Sequence, residues 1–313
     1  MLAKDNSIQS TGLALMDEAQ SLLLSGDVQE AMNLVFFGMK RIKENFNQLE
    51  WNQFAKITCL EHSLIDLVHQ CPFTYHAFTK PRGYAGDAEL IDFIYRFKRT
   101  PDNLTKVGRV IFEYCGNVGV SRSVRARRDI LSELIDRVSS EIDHPPHILS
   151  IACGHLREAQ KSNAVQAKQI GKFFALDQDP LSIELINREL QNYPIQTIQS
   201  SVTAIIRKKL TFENLDLVYA AGLYDYLSQS FATRLTKVMF DMLRSGGKLL
   251  VANFVPNHAE VGYMETFMQW HLIYRTEHEL AAVADEIPSS EIAIKRTFFE
   301  ENGNILFLEI TKA

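Results

Sequence analysis

Cysteine is scarce in this sequence. Cys59, Cys71, Cys115 and Cys153 are scattered over 313 residues with no CxxC pair, which excludes a disulfide frame and a cysteine-based zinc site. They read as reduced, buried thiols of a cytoplasmic protein. No run of about 18 apolar residues exists, so no membrane span is expected. The opening MLAKDNSIQSTG lacks the apolar core of an export signal. No His, Asp and Glu cluster has metal-ligand spacing, so no metal is expected. Excess positive charge is also missing: the net charge of −5 disfavours nucleic acid as a partner.

What remains is an ordinary globular composition, 46% hydrophobic and 23% charged, in a chain long enough for one large domain or two modest ones. The first 70 residues carry three apolar stripes at helical spacing, through Leu13–Leu23, Ala31–Ile42 and Trp51–Leu67. Ser25-Gly26-Asp27 stops the first helix, and Asp27 is placed to cap the second. Residues 71–87, CPFTYHAFTKPRGYAGD, read as a loop because of Pro72, Pro81, Gly83 and Gly86. The density of Phe73, Tyr75, Phe78 and Tyr84 makes it either a loop packed on a core or one that covers a site. Helices follow at 88–98, 103–117 and 122–141. From residue 147 strands and helices alternate. Strands fall at 147–152, 172–177, 195–199, 215–221 and 247–254, and helices at 157–170, 180–192, 202–208 and 228–244. That order predicts a parallel sheet with helices on both faces. Asn302-Gly303 then joins two strands in a closing hairpin. The expected organisation is a helical domain over 1–120 and an α/β domain over 121–313.

The segment HILSIACGHLREAQ (147–160) runs a buried strand into a sharp turn with one glycine, Gly154. Ligands of such sheets sit at the carboxyl ends of the strands. Asp177, 23 residues after Gly154, ends the second strand, where a carboxylate can accept from two ribose hydroxyls. Glycine and acid together suit NAD or S-adenosylmethionine. A pyrophosphate wants a glycine-rich turn at a helix N-terminus, and a single glycine speaks against a dinucleotide.

Residues 120–313 resemble a class I S-adenosylmethionine-dependent methyltransferase. The resemblance rests on ILSIACGHL as first motif, Asp177, DLVYAAGLYDYL as fourth strand and exit, and LRSGGKLLVANF as turn and fifth strand. Ser150, Ala152 and Leu156 depart from the usual first motif. A narrower resemblance, through KPRGYAGD, SVRARRDIL, GHLREA and ANFVPN with YMETFMQWHLIYRT, is to a bacterial methyltransferase group associated with 3-hydroxy fatty acid methyl esters. The resemblance implies a Rossmann-like sheet with a C-terminal antiparallel hairpin and an all-helical N-terminal domain acting as a lid. It implies S-adenosylmethionine as cofactor and a small-molecule acceptor, with a domain that binds the cofactor but has lost its chemistry as the opposing reading. By position, Ala152, Cys153 and Gly154 would contact the methionine part of the cofactor. Asp177 would hold the ribose with Gln178 beside the adenine, Ser201 and Val202 would flank the ring, and Ala221 and Gly222 would lie under the sulfonium. Glu158 is either a cofactor contact or a first-turn acid favoured by the helix dipole.

On the acceptor side the expected groups are Tyr84, Tyr224 and Asn253, with Arg82, Arg125, Arg128, Trp270, Tyr274 and Arg275 as further candidates. His155 is either a base or a turn-filling residue. The arginine-rich stretch from Arg96 to Arg128 is either a solvated face or an anion-binding wall. Arg122, Arg125 and Arg128 recur every third residue and can share a helix face. An arginine fork would orient a carboxylate, which needs no general base to accept a methyl group. In KPRGYAGD, Arg82 and Tyr84 would reach the cofactor pocket, and Asp87 would cap the helix that follows.

Overall fold

A computed structural model describes residues 7–96 and 103–313. Lys98, Arg99 and the last two residues of the helix expected at 88–98 lie outside the described residues. The chain divides into two compact units, Met1–Arg122 with Asn257–His271, and Ser123–Pro256 with Leu272–Ala313. A segment within the sequence-defined α/β stretch thus packs with the helical unit.

In the helical unit, helices Ile8–Ser25 and Val28–Asn45 form a hairpin, and Gly26 ends the first with a left-handed φ of 96°. Asp27 occupies the N-cap position, but its carboxylate accepts from Ser25 Oγ and not from the next helix. The third apolar stripe is a broken run of short helices, from Gln48–Gln53 through a π-helical turn at Phe54–Thr58 to Leu64–Val68. The loop expected over 71–87 is half helix. Pro72 stands in the first turn of helix Pro72–Thr79, where its missing N–H costs nothing and its fixed φ suits the backbone. Only residues 80–87 remain irregular, and Asp87 caps helix Ala88–Tyr95 by accepting from Leu90 N at 2.8 Å.

The returning segment fits into this unit through Gly262 and Tyr263 of helix Val261–Thr266. Tyr263 stacks on Phe36 with ring centroids 4.3 Å apart and shares a hydrogen bond with Thr74. Glu265 accepts from Trp51 Nε1 at 2.7 Å and Lys43 Nζ at 2.5 Å. A Cβ on Gly262 would lie 2.6 Å from the Met39 carbonyl carbon and 2.7 Å from the Lys40 amide nitrogen. Backbone cannot step aside as a flexible side chain can. Gly262→Ala should therefore cost about 1–3 kcal/mol, as overpacking typically does, and lower the melting temperature. An unchanged melt would disprove this close approach.

In the second unit seven strands form one sheet in the order β3-β2-β1-β4-β5-β7-β6. They are β1 (His147–Ile151), β2 (Lys172–Asp177), β3 (Ile195–Gln199), β4 (Leu215–Ala220), β5 (Leu243–Phe254), β6 (Ile292–Phe299) and β7 (Ile305–Lys312). The first five are parallel, while β7 pairs antiparallel with both β5 and β6. The near-continuous apolar runs of β1, β4 and β5 suit strands covered on both faces, and they fill a core with Leu235, Met239 and Phe240 of helix Gln229–Asp241. Glu300 builds the hairpin turn, accepting from the amides of Asn302, Asn304 and Ile305. β5 begins earlier than its apolar run, since Arg244–Gly247 bulge out opposite β4. The helix expected over 157–170 is two short ones, Arg157–Lys161 and Asn163–Gln166. Ser162 interrupts it because Asp136 accepts from Ser162 Oγ and from the amides of Asn163 and Ala164, a cap supplied from another helix.

Candidate functional site

The turn after β1 is unusual backbone. Ala152, Gly154 and Leu156 all have left-handed φ, at 53°, 54° and 52°. Two of them are not glycine, and such strain persists where the surroundings over-determine it, commonly at ligand clamps. The surroundings here are β2 and its acid. Cys153 N donates to Leu176 O at 3.0 Å, and Gly154 N donates to Asp177 Oδ2 at 2.8 Å. Asp179 N donates to the other oxygen, Oδ1, at 2.9 Å. Asp177 thus ties together the turns after β1 and β2, and each oxygen keeps a second lone pair for a ligand hydroxyl. Burial pushes its carboxyl up, and the Asp179 and Gly154 amides pull it back. The Cys153 thiol is raised well above its usual value by burial and by Asp177 and Glu158, so it stays a neutral thiol.

Gln178 and Ser201 are exposed beyond the ends of β2 and β3, and Val202, half-buried, opens helix Val202–Ile206. Ala221 is half-buried and Gly222 exposed beyond β4. Together with residues 152–154 they occupy the carboxyl ends of four parallel strands, and β1 is the switch point from which the strands run outward both ways. Glu158 is buried, and its Oε1 accepts from Tyr219 Oη of β4 at 2.7 Å. Burial raises its carboxyl, while Tyr219, Arg127 and Arg128 lower it. His155 is buried in the turn.

The acceptor-side candidates fare differently. Tyr224 is a core residue: it is fully buried, and its hydroxyl shares a hydrogen bond with Thr236 Oγ1 at 2.7 Å. That hydroxyl, raised further by burial, is engaged inside the fold. Asn253 and Arg275 are both buried and serve each other. Arg275 donates to Asn253 Oδ1 and to the carbonyls of Tyr224 and Leu227 at 2.5, 2.7 and 2.6 Å, and to Gln229 Oε1 at 2.9 Å. Asn253 Nδ2 donates to the carbonyls of Phe254 and Ile273. Both brace the β4 exit: Asn253 Nδ2 uses both of its N–H groups in this way and Arg275 four of its five. Tyr274 is half-buried. Trp270, Arg82 and Tyr84 belong to the helical unit. Trp270 is buried, its amide donating to Met264 O, and Arg82 pairs with Glu89 at 3.4 Å.

Helix Gly119–Glu141 carries the arginines. Arg125 is half-buried, Arg128 pairs with Asp129 at 2.9 Å, and Arg122 donates to Asn117 O. The arginine that turns inward is Arg127, which is only 6% exposed and donates through Nη1 to Ala221 O at 2.8 Å. Asp225, also buried, accepts from Phe254 N through Oδ1 at 2.7 Å. Burial raises its carboxyl to about 6 against the pull of the Phe254 amide, Arg127 and Arg275. The sequence offers Arg127 beside Arg125 and Arg128, and Asp225 beside Tyr224 and Tyr226, without separating either from its neighbours. The available signal was Arg127's position in the apolar stripe Val124, Leu131, Leu134, Val138. Among the described residues no group of three or more His, Cys, Asp and Glu is placed to hold a metal, and no helix is long and apolar enough to cross a membrane.

No protein-family model matches the sequence, and no curated protein matches it. Solved structures do share its architecture. A possible exported protein from Bordetella parapertussis matches 84% of this chain and 95% of its own, with a TM-score of 0.63 at 15% identity. Magnesium protoporphyrin IX methyltransferase of Synechocystis PCC 6803, solved with bound S-adenosylhomocysteine, matches 76% of this chain and 100% of its own, with a TM-score of 0.52 at 10% identity. At such identities the likeness establishes the fold: an α/β Rossmann-like sheet of the class I methyltransferase type, with a C-terminal antiparallel hairpin and a helical N-terminal region.

Proposed function

We propose that the protein binds S-adenosylmethionine at the carboxyl ends of β1–β4 and transfers its methyl group to a small-molecule carboxylate in the cytoplasm. The observation that carries this reading is the strained Ala152–Leu156 turn, fastened through Gly154 to Asp177 on a sheet of methyltransferase order. The residues present suit that cofactor. Asp177 has lone pairs for a ribose, Gly154 and Gly222 let a ligand approach backbone, and Gln178, Ser201 and Val202 line up for an adenine. The bound cofactor would supply an electrophilic methyl group. The chain's own work is to hold the two partners in line and keep water away. A carboxylate acceptor is already nucleophilic and needs only orientation by a cationic fork. The narrower sequence resemblance supports a small-molecule acceptor and leaves its class open. Loss of turnover in Tyr84→Ala and Arg82→Ala would tie the 80–87 loop to the reaction.

A second reading, methylation of an acceptor N–H or O–H, is favoured by Asp225, whose carboxyl at about 6 could take a proton near neutral pH.

Titration calorimetry with S-adenosylhomocysteine tests cofactor binding. Wild-type protein should bind saturably, and Asp177→Ala should bind about 1–3 kcal/mol more weakly, the worth of a hydrogen bond to a charged group. A urea melt of the same variant should show a separate loss of stability from the untied Gly154 and Asp179 amides. Wild-type protein that fails to bind would overturn the proposal.

A further inference from the structure

We infer that Arg127 is the group that holds a ligand carboxylate at the β4 exit, an inference that rests on the cofactor reading above. Arg127 is 6% exposed, yet among the described residues its guanidinium has one hydrogen-bond partner, the Ala221 carbonyl at 2.8 Å. Its Nε is buried with no partner. Glu158 and Asp225 both lie within its electrostatic reach, but neither forms an ion pair with it. Instead Glu158 accepts from Tyr219 and Asp225 accepts from Phe254 N.

A buried guanidinium held by a single neutral carbonyl is an expensive arrangement. Taking the charge out of water costs several kcal/mol and is offset only by well-placed acceptors. The neighbouring backbone leaves room for them. A Cβ at position 222 would lie 3.7 Å from both Nη1 and Nη2, so any other residue there would cover the guanidinium that Gly222, exposed, leaves open. Two features therefore converge on one spot beside β4: an unfilled planar donor fork and a missing side chain above it. A carboxylate matches that fork in charge and in two-pronged geometry. Of the neighbouring arginines, Arg128 pairs with Asp129 and Arg125 is half-buried.

The carboxylate has two sources, the amino-acid end of the cofactor or the acceptor, and binding measurements separate them. Wild-type, Arg127→Met and Arg127→Lys proteins would be titrated with S-adenosylhomocysteine, with 5′-methylthioadenosine, which lacks the amino-acid end, and with octanoate added to the S-adenosylhomocysteine complex. If the cofactor supplies the carboxylate, Arg127→Met should lose about tenfold to a hundredfold in S-adenosylhomocysteine affinity and nothing for 5′-methylthioadenosine. If the acceptor supplies it, both nucleosides should bind as before and octanoate binding should be lost. Lys keeps the charge without the fork and should recover only part of either loss. Should the Met variant not fold, Lys alone still reads the effect. Arg127 would be merely a brace for Ala221 if all three probes bind the variants as they bind wild type, or if wild type neither prefers S-adenosylhomocysteine to 5′-methylthioadenosine nor binds octanoate. Wild-type protein that binds neither nucleoside would overturn this inference together with the cofactor reading. Binding that survives every Arg127 substitution overturns this inference alone.

Discussion

Replacing Arg275 with Met should lower the unfolding free energy by about 3–5 kcal/mol, the range found when one partner of a buried charged network is removed. Arg275 is 2% exposed and holds the carbonyls of Tyr224 and Leu227, the Asn253 side chain and Gln229. Met fills the volume but donates nothing. The Leu227 carbonyl and the Asn253 amide oxygen would then lose their donor and the Tyr224 carbonyl would keep only Leu227 N, each lost bond costing about 1–3 kcal/mol before relaxation. Because Tyr224–Leu227 is the stretch that leaves β4, the variant should also loosen the carboxyl end of the parallel strands. Urea denaturation with a fluorescence readout gives the measurement. Lys should restore less than half of the loss, since three donors on a point cannot reproduce a planar fork that reaches four acceptors. A Met variant as stable as wild type would mean that these carbonyls find other donors.

The same residue shows where sequence reading succeeds and where it stops. The sheet was legible because parallel strands covered on both faces must be apolar throughout, and VYAA or LLVAN cannot belong to a surface. Gly154 and Asp177 were legible because the tip of a strand is a fixed place in such a sheet. Arg275 and Asn253 looked like substrate groups for an equally sound reason: polar residues near strand ends usually face a ligand. Nothing local reveals that these two face each other, because the distance between residues 253 and 275 is closed by tertiary packing. Tyr224 looked available for the same reason, and the helix that buries it begins only five residues later, at Gln229. Arg127 stood in view with Arg125 and Arg128, but nothing in the spacing of that run separates the arginine that turns inward from its neighbours. Asn257–His271 could not be assigned to the helical unit from sequence, since membership depends on Gly262 meeting the Met39–Lys40 backbone. Pro72 misled in the opposite direction, because a proline that breaks a helix interior is welcome in its first turn.

Asp225→Asn should make the protein more stable at neutral pH, by up to about 3 kcal/mol, the equivalent of a carboxyl raised from 3.8 to about 6. Asp225 is 3% exposed, and burial is the largest cause of its shift. The folded protein therefore binds a proton at this site more tightly than the unfolded chain does. Ionisation penalises the folded state, and the penalty is absent below pH about 4, grows as pH rises, and is complete above about 6. Asn keeps an oxygen for the Phe254 amide, which donates at 2.7 Å, and removes only the charge. Denaturant midpoints of wild type and variant should thus converge below pH about 4 and separate between about 4 and 6, with the variant higher. Parallel profiles, or a variant less stable at pH 7.5, would show that Arg127 and Arg275 support the carboxylate well enough to hold it near its ordinary value. A residue that costs stability at neutral pH, placed beside an arginine whose fork is unfilled, is better explained by what it does for a ligand than by what it does for the fold. Its negative charge at the β4 exit would offset Arg127 and let a cationic sulfonium sit close by.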